Sequence, residues 1–82
     1  MKSEQIKVIL FEELGNLAPE ADPSAVAPEA NLREALDLDS MDFLNLMIAL
    51  HNRLGIAIPE AEYGELRTLN KAIDYLAGKL PD

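Results

Sequence analysis

Asp39-Ser40-Met41-Asp42-Phe43-Leu44-Asn45-Leu46-Met47-Ile48-Ala49-Leu50-His51-Asn52-Arg53-Leu54-Gly55 is the stretch on which the fold rests. Counting from Met41 at ~100° per residue, Phe43, Leu46, Met47, Leu50 and Leu54 fall within roughly 140–240° and form one apolar face. Asp42, Asn45, Asn52 and Arg53 lie near ~20–120°, on the solvated side. This is a helix from about Ser40 to Leu54, closed by Gly55 as its C-terminal cap. Met41, Leu44 and Ile48 remain, near ~300–360°, as a second apolar strip contiguous with Ser40. Such a strip is either further core or a docking surface, and periodicity alone leaves both open.

The start of this helix also has two readings. Asp39 suits an N-cap, and Asp42 three residues later completes a variant of the capping box. Ser40 places a hydroxyl at a chain reversal, beside the unpaired N–H groups and aligned peptide dipoles that favour an anion such as phosphate.

Working outward, Ser3 to Leu14 reads as a first helix with Gly15-Asn16 as its stop signal. Ile6, Ile9, Leu10, Leu14 and Leu17 share a face, although Glu13 lies inside that arc and Val8 outside it. Residues 16–39 form a long connection containing Pro19, Pro23 and Pro28. Val26, Leu32, Leu36 and Leu38 can pin it to the core, with a short helical turn over Asn31 to Leu36. Beyond Gly55, Ile56 to Pro59 is extended, because the residue before a proline is pushed out of the helical region. Glu60 to Tyr63 suits one short turn. The last helix starts at Thr68 as N-cap, runs to about Lys79 along Leu69, Ala72, Ile73, Leu76, Ala77 and Leu80, and is followed by Pro81. The expected fold is all-α: one domain over residues 1–82, a small four-helix bundle of three main helices and one short one, with a long first loop.

Composition limits what this bundle does. The chain has 82 residues, 49% hydrophobic, and no cysteine, so disulfides and thiolate metal sites are excluded. Without a thiol, thioester chemistry needs an imported one. Fifteen acidic residues against seven Lys and Arg give a net charge of −8. Nucleic acid would be repelled, and partners with basic surfaces are favoured. No apolar run approaches a membrane span and no secretory signal is apparent, so a cytoplasmic address is the default expectation.

Catalysis is disfavoured. His51, the only histidine, lies eleven residues beyond Ser40 on the same helix, about 16 Å away, too far to deprotonate it. Asp37, Asp39 and Asp42 are solvated and lack a water-excluding cleft for acid–base work. Asp37-x-Asp39 begins like a calcium loop, but Met41, Asp42 and Ile48 then occupy the positions of an oxygen ligand, the glycine and the glutamate. No catalytic residue and no metal site is assigned.

Leu36-Asp37-Leu38-Asp39-Ser40-Met41-Asp42 with Leu44, Leu46 and Ala49-Leu50 resembles the prosthetic-group motif of acyl carrier proteins. The resemblance extends to Ile58-Pro59, Thr68-Leu69 and Ala72-Ile73-Asp74-Tyr75-Leu76, and so covers nearly the whole chain. It implies that Ser40 carries 4′-phosphopantetheine from coenzyme A, attached by a phosphopantetheinyl transferase with Mg²⁺, with Asp39 positioning that transferase's metal or basic residues. It implies further that Met41, Leu44 and Ile48, with Asp42, dock partner enzymes that transfer, ligate or condense acyl groups. Phe43, Leu46, Met47 and Leu50 would line an acyl cavity, narrowed by Phe43, where the family more often has a smaller residue.

Two departures suggest a specialised lipid or polyketide-type pathway rather than general fatty acid synthesis. Asn45, His51, Asn52 and Arg53 stand where the family usually places acidic residues, and Asp37 where it often has glycine. An amino-acyl or peptidyl carrier is the near alternative, disfavoured by Asp37-Leu38-Asp39 and Asp42. An unmodified helix-docking module is the other. A monomer is the default expectation.

Overall fold

The computed structural model describes residues 2–80, and within them the chain forms four α-helices: α1 (Ser3–Leu17), α2 (Leu32–Ala35), α3 (Ser40–Leu54) and α4 (Leu69–Lys79). Two 3-10 segments, Pro23–Ala25 and Glu60–Leu66, lie in the connections. There is no strand among the described residues, only an isolated antiparallel bridge between Asn31 and Thr68. The molecule is the all-α bundle expected, with three main helices, one short helix and a long first loop.

The periodicity of α3 sets its packing. Phe43, Leu46, Met47 and Leu50 point inward and meet Ile6, Leu10 and Leu14 of α1, and Leu69, Ala72 and Leu76 of α4, in one cluster. α1 packs against both α3 and α4, and the second 3-10 segment packs against α4. Leu32, Leu36, Leu38 and Leu66 bring the loops into the same core. Full burial of such a side chain contributes about 1.5–3 kcal/mol. No polar side chain is buried among the described residues, so the bundle is held by apolar packing.

α1 runs through the expected stop at Gly15-Asn16 and ends at Leu17, three residues beyond Leu14. Leu14 is fully buried and Leu17 packs against the core, which holds the last turn in helical form. The Ala18 N–H still donates to the Leu14 carbonyl at 2.9 Å. Pro19 ends the helix instead: the residue before a proline is disfavoured in the helical region, and Ala18 leaves it at φ −132°, ψ 74°. Glu13, misplaced in an apolar arc, faces Arg53, whose guanidinium lies 3.3 Å from Glu13 and 3.1 Å from Glu12. The Glu12 hydrogen bond leads in raising the Arg53 pKa, and both groups remain solvent-screened.

The long loop is held by caps and backbone bonds. Asp22 accepts from the Ser24 N–H and hydroxyl at 3.0 and 2.6 Å, closing the Pro23–Ala25 turn. Asn31 caps α2 by accepting from the N–H groups of Arg33 and Glu34. The N–H groups of Leu32 and Asn70 donate to the carbonyls of Arg67 and Pro28, at 2.9 and 3.0 Å. They fasten the end of the loop to the start of α4.

α4 begins at Thr68, whose hydroxyl accepts from the Lys71 N–H at 3.1 Å. Pro81, expected to follow its end, lies outside the described residues. The Tyr75 hydroxyl donates to Glu62 at 2.6 Å, with Lys79 3.6 Å from the same carboxylate, tying the second 3-10 segment to α4. Desolvation first, then the Glu62 hydrogen bond, pushes the Tyr75 phenol up to about 12 from its usual 10.0. The folded state therefore holds this proton more tightly, so the stabilisation is complete below about pH 10 and lost as pH rises towards 12. Tyr75→Phe is expected to flatten this alkaline limb in thermal melts between pH 10 and 12. An unaltered limb would detach it from Tyr75.

No helix among the described residues is long and apolar enough to cross a membrane.

Candidate functional site

The α2–α3 junction builds the site. Leu36 follows the last residue of α2, Asp37 takes a left-handed conformation with φ 53°, and the Leu38 N–H returns to the Arg33 carbonyl at 2.8 Å. This six-to-one bond with a left-handed residue inside it is a Schellman closure. Glycine would meet no Cβ penalty at this position, and aspartate tolerates the conformation better than most residues. Asp37→Val, β-branched, is expected to lose about 1–2 kcal/mol of stability, read from urea midpoints. A midpoint equal to that of the parent chain would mean the turn does not constrain this residue.

Leu36 and Leu38 are buried on either side of Asp37 and anchor the turn. The chain then enters α3 through a reciprocal cap. The Asp42 N–H donates to Asp39 Oδ1 at 2.8 Å, and the Asp39 N–H donates to Asp42 Oδ2 at 3.3 Å. Two backbone donors at the helix start are thus satisfied without Ser40. Ser40 is the first residue of α3, exposed, and its Oγ accepts from Arg33 Nη2 at 3.2 Å. Arg33 Nε also points at the Leu38 carbonyl, at 3.5 Å.

Ser40 stands at the edge of a cleft of about 570 Å³, within the roughly 300–1,000 Å³ range of small-molecule sites. Met41, Phe43, Leu44 and Tyr63 give it an apolar lining, and Arg33 and Arg67 supply positive charge that outweighs the one carboxylate there, Glu60. Phe43 and Tyr63 meet edge to face with ring centroids 6.2 Å apart. Further along the same side of α3 lies a smaller cleft of about 350 Å³, lined by Met47, Ile48, His51, Ala57, Ile58, Pro59 and Tyr63.

The second apolar strip is largely outside the core. Met41 is 63% and Ile48 47% exposed, while Leu44 is half-buried. Of the residues expected to line an acyl cavity, Phe43 borders the first cleft and Met47 the second. Leu46 and Leu50 are fully buried and line neither. His51 is exposed near the end of α3, where its Nδ1 bonds the Ile56 carbonyl. A carbonyl only accepts, so Nδ1 carries the proton, and His51 serves the helix end rather than Ser40.

No three His, Cys, Asp or Glu side chains among the described residues come together as a metal-binding group. Sequence reasoning missed Arg33, Arg67 and Tyr63. Their approach depends on the Asn31–Thr68 bridge and the Leu32–Arg67 backbone bond, which no local pattern announces.

The family described as "Phosphopantetheine attachment site" matches residues 4–76. A protein named acyl carrier protein from Thermosynechococcus vestitus is 34% identical over 77 residues, covering 94% of this chain and 89% of its own. The chain belongs to the acyl carrier protein family. A relative of the same name from Rubrobacter xylanophilus is 36% identical over 73 residues, covering 89% of this chain and 84% of its own. One from Arabidopsis thaliana, named acyl carrier protein 2, mitochondrial, is 38% identical over 56 residues, covering 68% of this chain and 44% of its own.

As a carrier rather than a catalyst, the protein uses 4′-phosphopantetheine as a covalent prosthetic group. Carriers of this family are served by a phosphopantetheinyl transferase and by enzymes that handle acyl groups. The structure fits such a group: an exposed hydroxyl on a long helix, spared from capping, beside an open cleft with positive charge at its rim.

Proposed function

We propose that Ser40 is the attachment point and that the chain, a single carrier domain, presents acyl thioesters from it to partner enzymes. The observation that carries this reading is the division of labour at the start of α3. Asp39 and Asp42 cap the helix between themselves, leaving the Ser40 hydroxyl outside the structural hydrogen bonds of the cap. Its oxygen is free to become an ester oxygen without loosening the fold. The prosthetic group supplies the terminal thiol that a cysteine-free chain lacks.

In this reading Met41, Leu44 and Ile48 form the surface that partners grip, with Asp42 adding charge at its edge. Exposed methionine adapts to more than one partner shape. Asp39 helps position the transferase's metal or basic groups. Asn45, His51 and Asn52 are exposed along the rest of α3 and Arg53 is held by Glu12 and Glu13, so acidity is confined to the helix start. Dedicated partners in a specialised lipid or polyketide-type pathway suit this surface better than enzymes that read a wholly acidic helix. A monomer in the cytoplasm is the state proposed.

Phe43, Leu46, Met47 and Leu50 form the acyl-facing side of α3, with Phe43 and its partner Tyr63 as the barrier to long chains. Phe43→Ala is expected to slow hydrolysis of a long acyl thioester on the loaded carrier. Hydrolysis at the parent rate would dismiss Phe43 as the barrier.

Incubation with coenzyme A and a promiscuous phosphopantetheinyl transferase, followed by intact mass measurement, tests the central assignment. One added phosphopantetheine is expected. A mass that does not change would favour an unmodified module docking through the Met41–Leu44–Ile48 strip.

A further inference from the structure

We propose that Arg33 is the counter-ion of the prosthetic arm: once Ser40 is esterified, its guanidinium pairs with the phosphodiester and turns the arm into the cleft beside α3. This rests on Ser40 being the attachment point. Arg33 Nη2 already lies 3.2 Å from Ser40 Oγ, and the anionic phosphate oxygens lie only two bonds beyond that atom, across the phosphorus. Arginine's planar fork matches a phosphate better than any other side chain does.

The start of α3 would ordinarily attract an anion, but the Asp39 carboxylate already occupies the cap and Asp42 lies beside it. Two carboxylates repel a phosphate from that position. Arg33, by contrast, has no carboxylate partner among the described residues: the ion pairs there belong to Arg53 and Lys79. In a chain of net charge −8, an arginine without an acidic partner beside this serine supplies the missing positive charge.

The cleft is fixed by backbone ties rather than incidental. Arg33 is held by the Schellman closure behind it, and its segment is joined to that of Arg67 by the Leu32–Arg67 bond of 2.9 Å and the Asn31–Thr68 bridge. The Arg67 guanidinium passes over Gly64, where an added Cβ would meet its Nη2 at 3.1 Å. Gly64 therefore leaves room for a second cation in the cleft, so that two guanidinium groups outnumber its one carboxylate, Glu60, beside the apolar Met41, Phe43, Leu44 and Tyr63. An arm with an anionic head and a less polar tail finds both features in that order from Ser40.

The test uses the full chain before and after loading with coenzyme A and transferase, with loading verified by mass. In ¹H–¹⁵N spectra, the Arg33 Nε–Hε signal is expected to shift on loading, while that of Arg53 stays in place. In ³¹P spectra, the phosphodiester line of loaded Arg33→Gln is expected to be narrower than that of the parent, with Arg33→Lys between them. An unmoved Arg33 signal in the loaded parent chain would overturn the proposal, and that spectrum suffices if the Gln variant misfolds or resists loading. A parent chain that takes no arm defeats the Ser40 assignment along with it. A loaded chain with Arg33 unmoved defeats this inference alone.

Discussion

Ser40→Ala is expected to take no phosphopantetheine while remaining a folded bundle with nearly the parent's thermal midpoint. The first half follows from chemistry, since alanine has no oxygen to form the phosphodiester. The second follows from the cap. Asp39 and Asp42 hold each other's N–H groups, and neither bond passes through the Ser40 hydroxyl. The one side-chain bond lost, from Arg33, is exposed and spans 3.2 Å. Surface substitutions of this kind usually change stability by no more than about 0.5 kcal/mol. Asp39→Ala should lose the cap at about 0.5–2 kcal/mol while keeping the acceptor oxygen, so that loading is slowed rather than abolished. Intact mass and thermal melts on the two variants separate attachment from architecture. Loading of Ser40→Ala would place the arm elsewhere.

Leu50→Ala is expected to cost about 2–5 kcal/mol, because a Leu→Ala change in a close-packed core loses transfer energy and leaves a cavity. Leu50 is 0% exposed and sits on the inner face of α3. A chain of 82 residues holds only about 4–12 kcal/mol in all, at ~0.05–0.15 kcal/mol per residue. The variant should therefore be visibly destabilised in urea. The size of the loss also bears on the acyl cavity. Were Leu50 already beside a void awaiting an acyl chain, its truncation would add little new cavity, and the loss would fall below this range. A loss of about 2 kcal/mol or more indicates a filled core that must open before a chain can enter.

Much of this architecture is legible in the chain because it is written locally. α3 shows two apolar strips separated by polar positions, and Gly55, observed at φ 68°, marks its end. Thr68 announces α4 in the same way, through a hydroxyl that caps its first turn. The end of α1 was less legible because glycine and asparagine are only permissive stop signals. Leu14 and Leu17 had enough core to bury that the helix continued to Pro19, where geometry rather than preference ends it.

The site divides along the same line. Asp39, Ser40 and Asp42 lie within four residues of each other, so their reciprocal bonds can be read from type and spacing. The cleft cannot. Arg33 and Arg67 become neighbours only because the long loop returns to the start of α4, through bonds linking residues far apart in sequence. Asp37 is intermediate: its departure from glycine is visible in the sequence, but its φ of 53° gives the reason why glycine suits that place.

The most direct measurement is fragment mass analysis of the parent chain after loading, with the added group assigned to a residue. The account predicts one phosphopantetheine, carried entirely on the fragment containing Ser40. A chain that stays bare under conditions that load other carriers, or an arm found on a different residue, would contradict it.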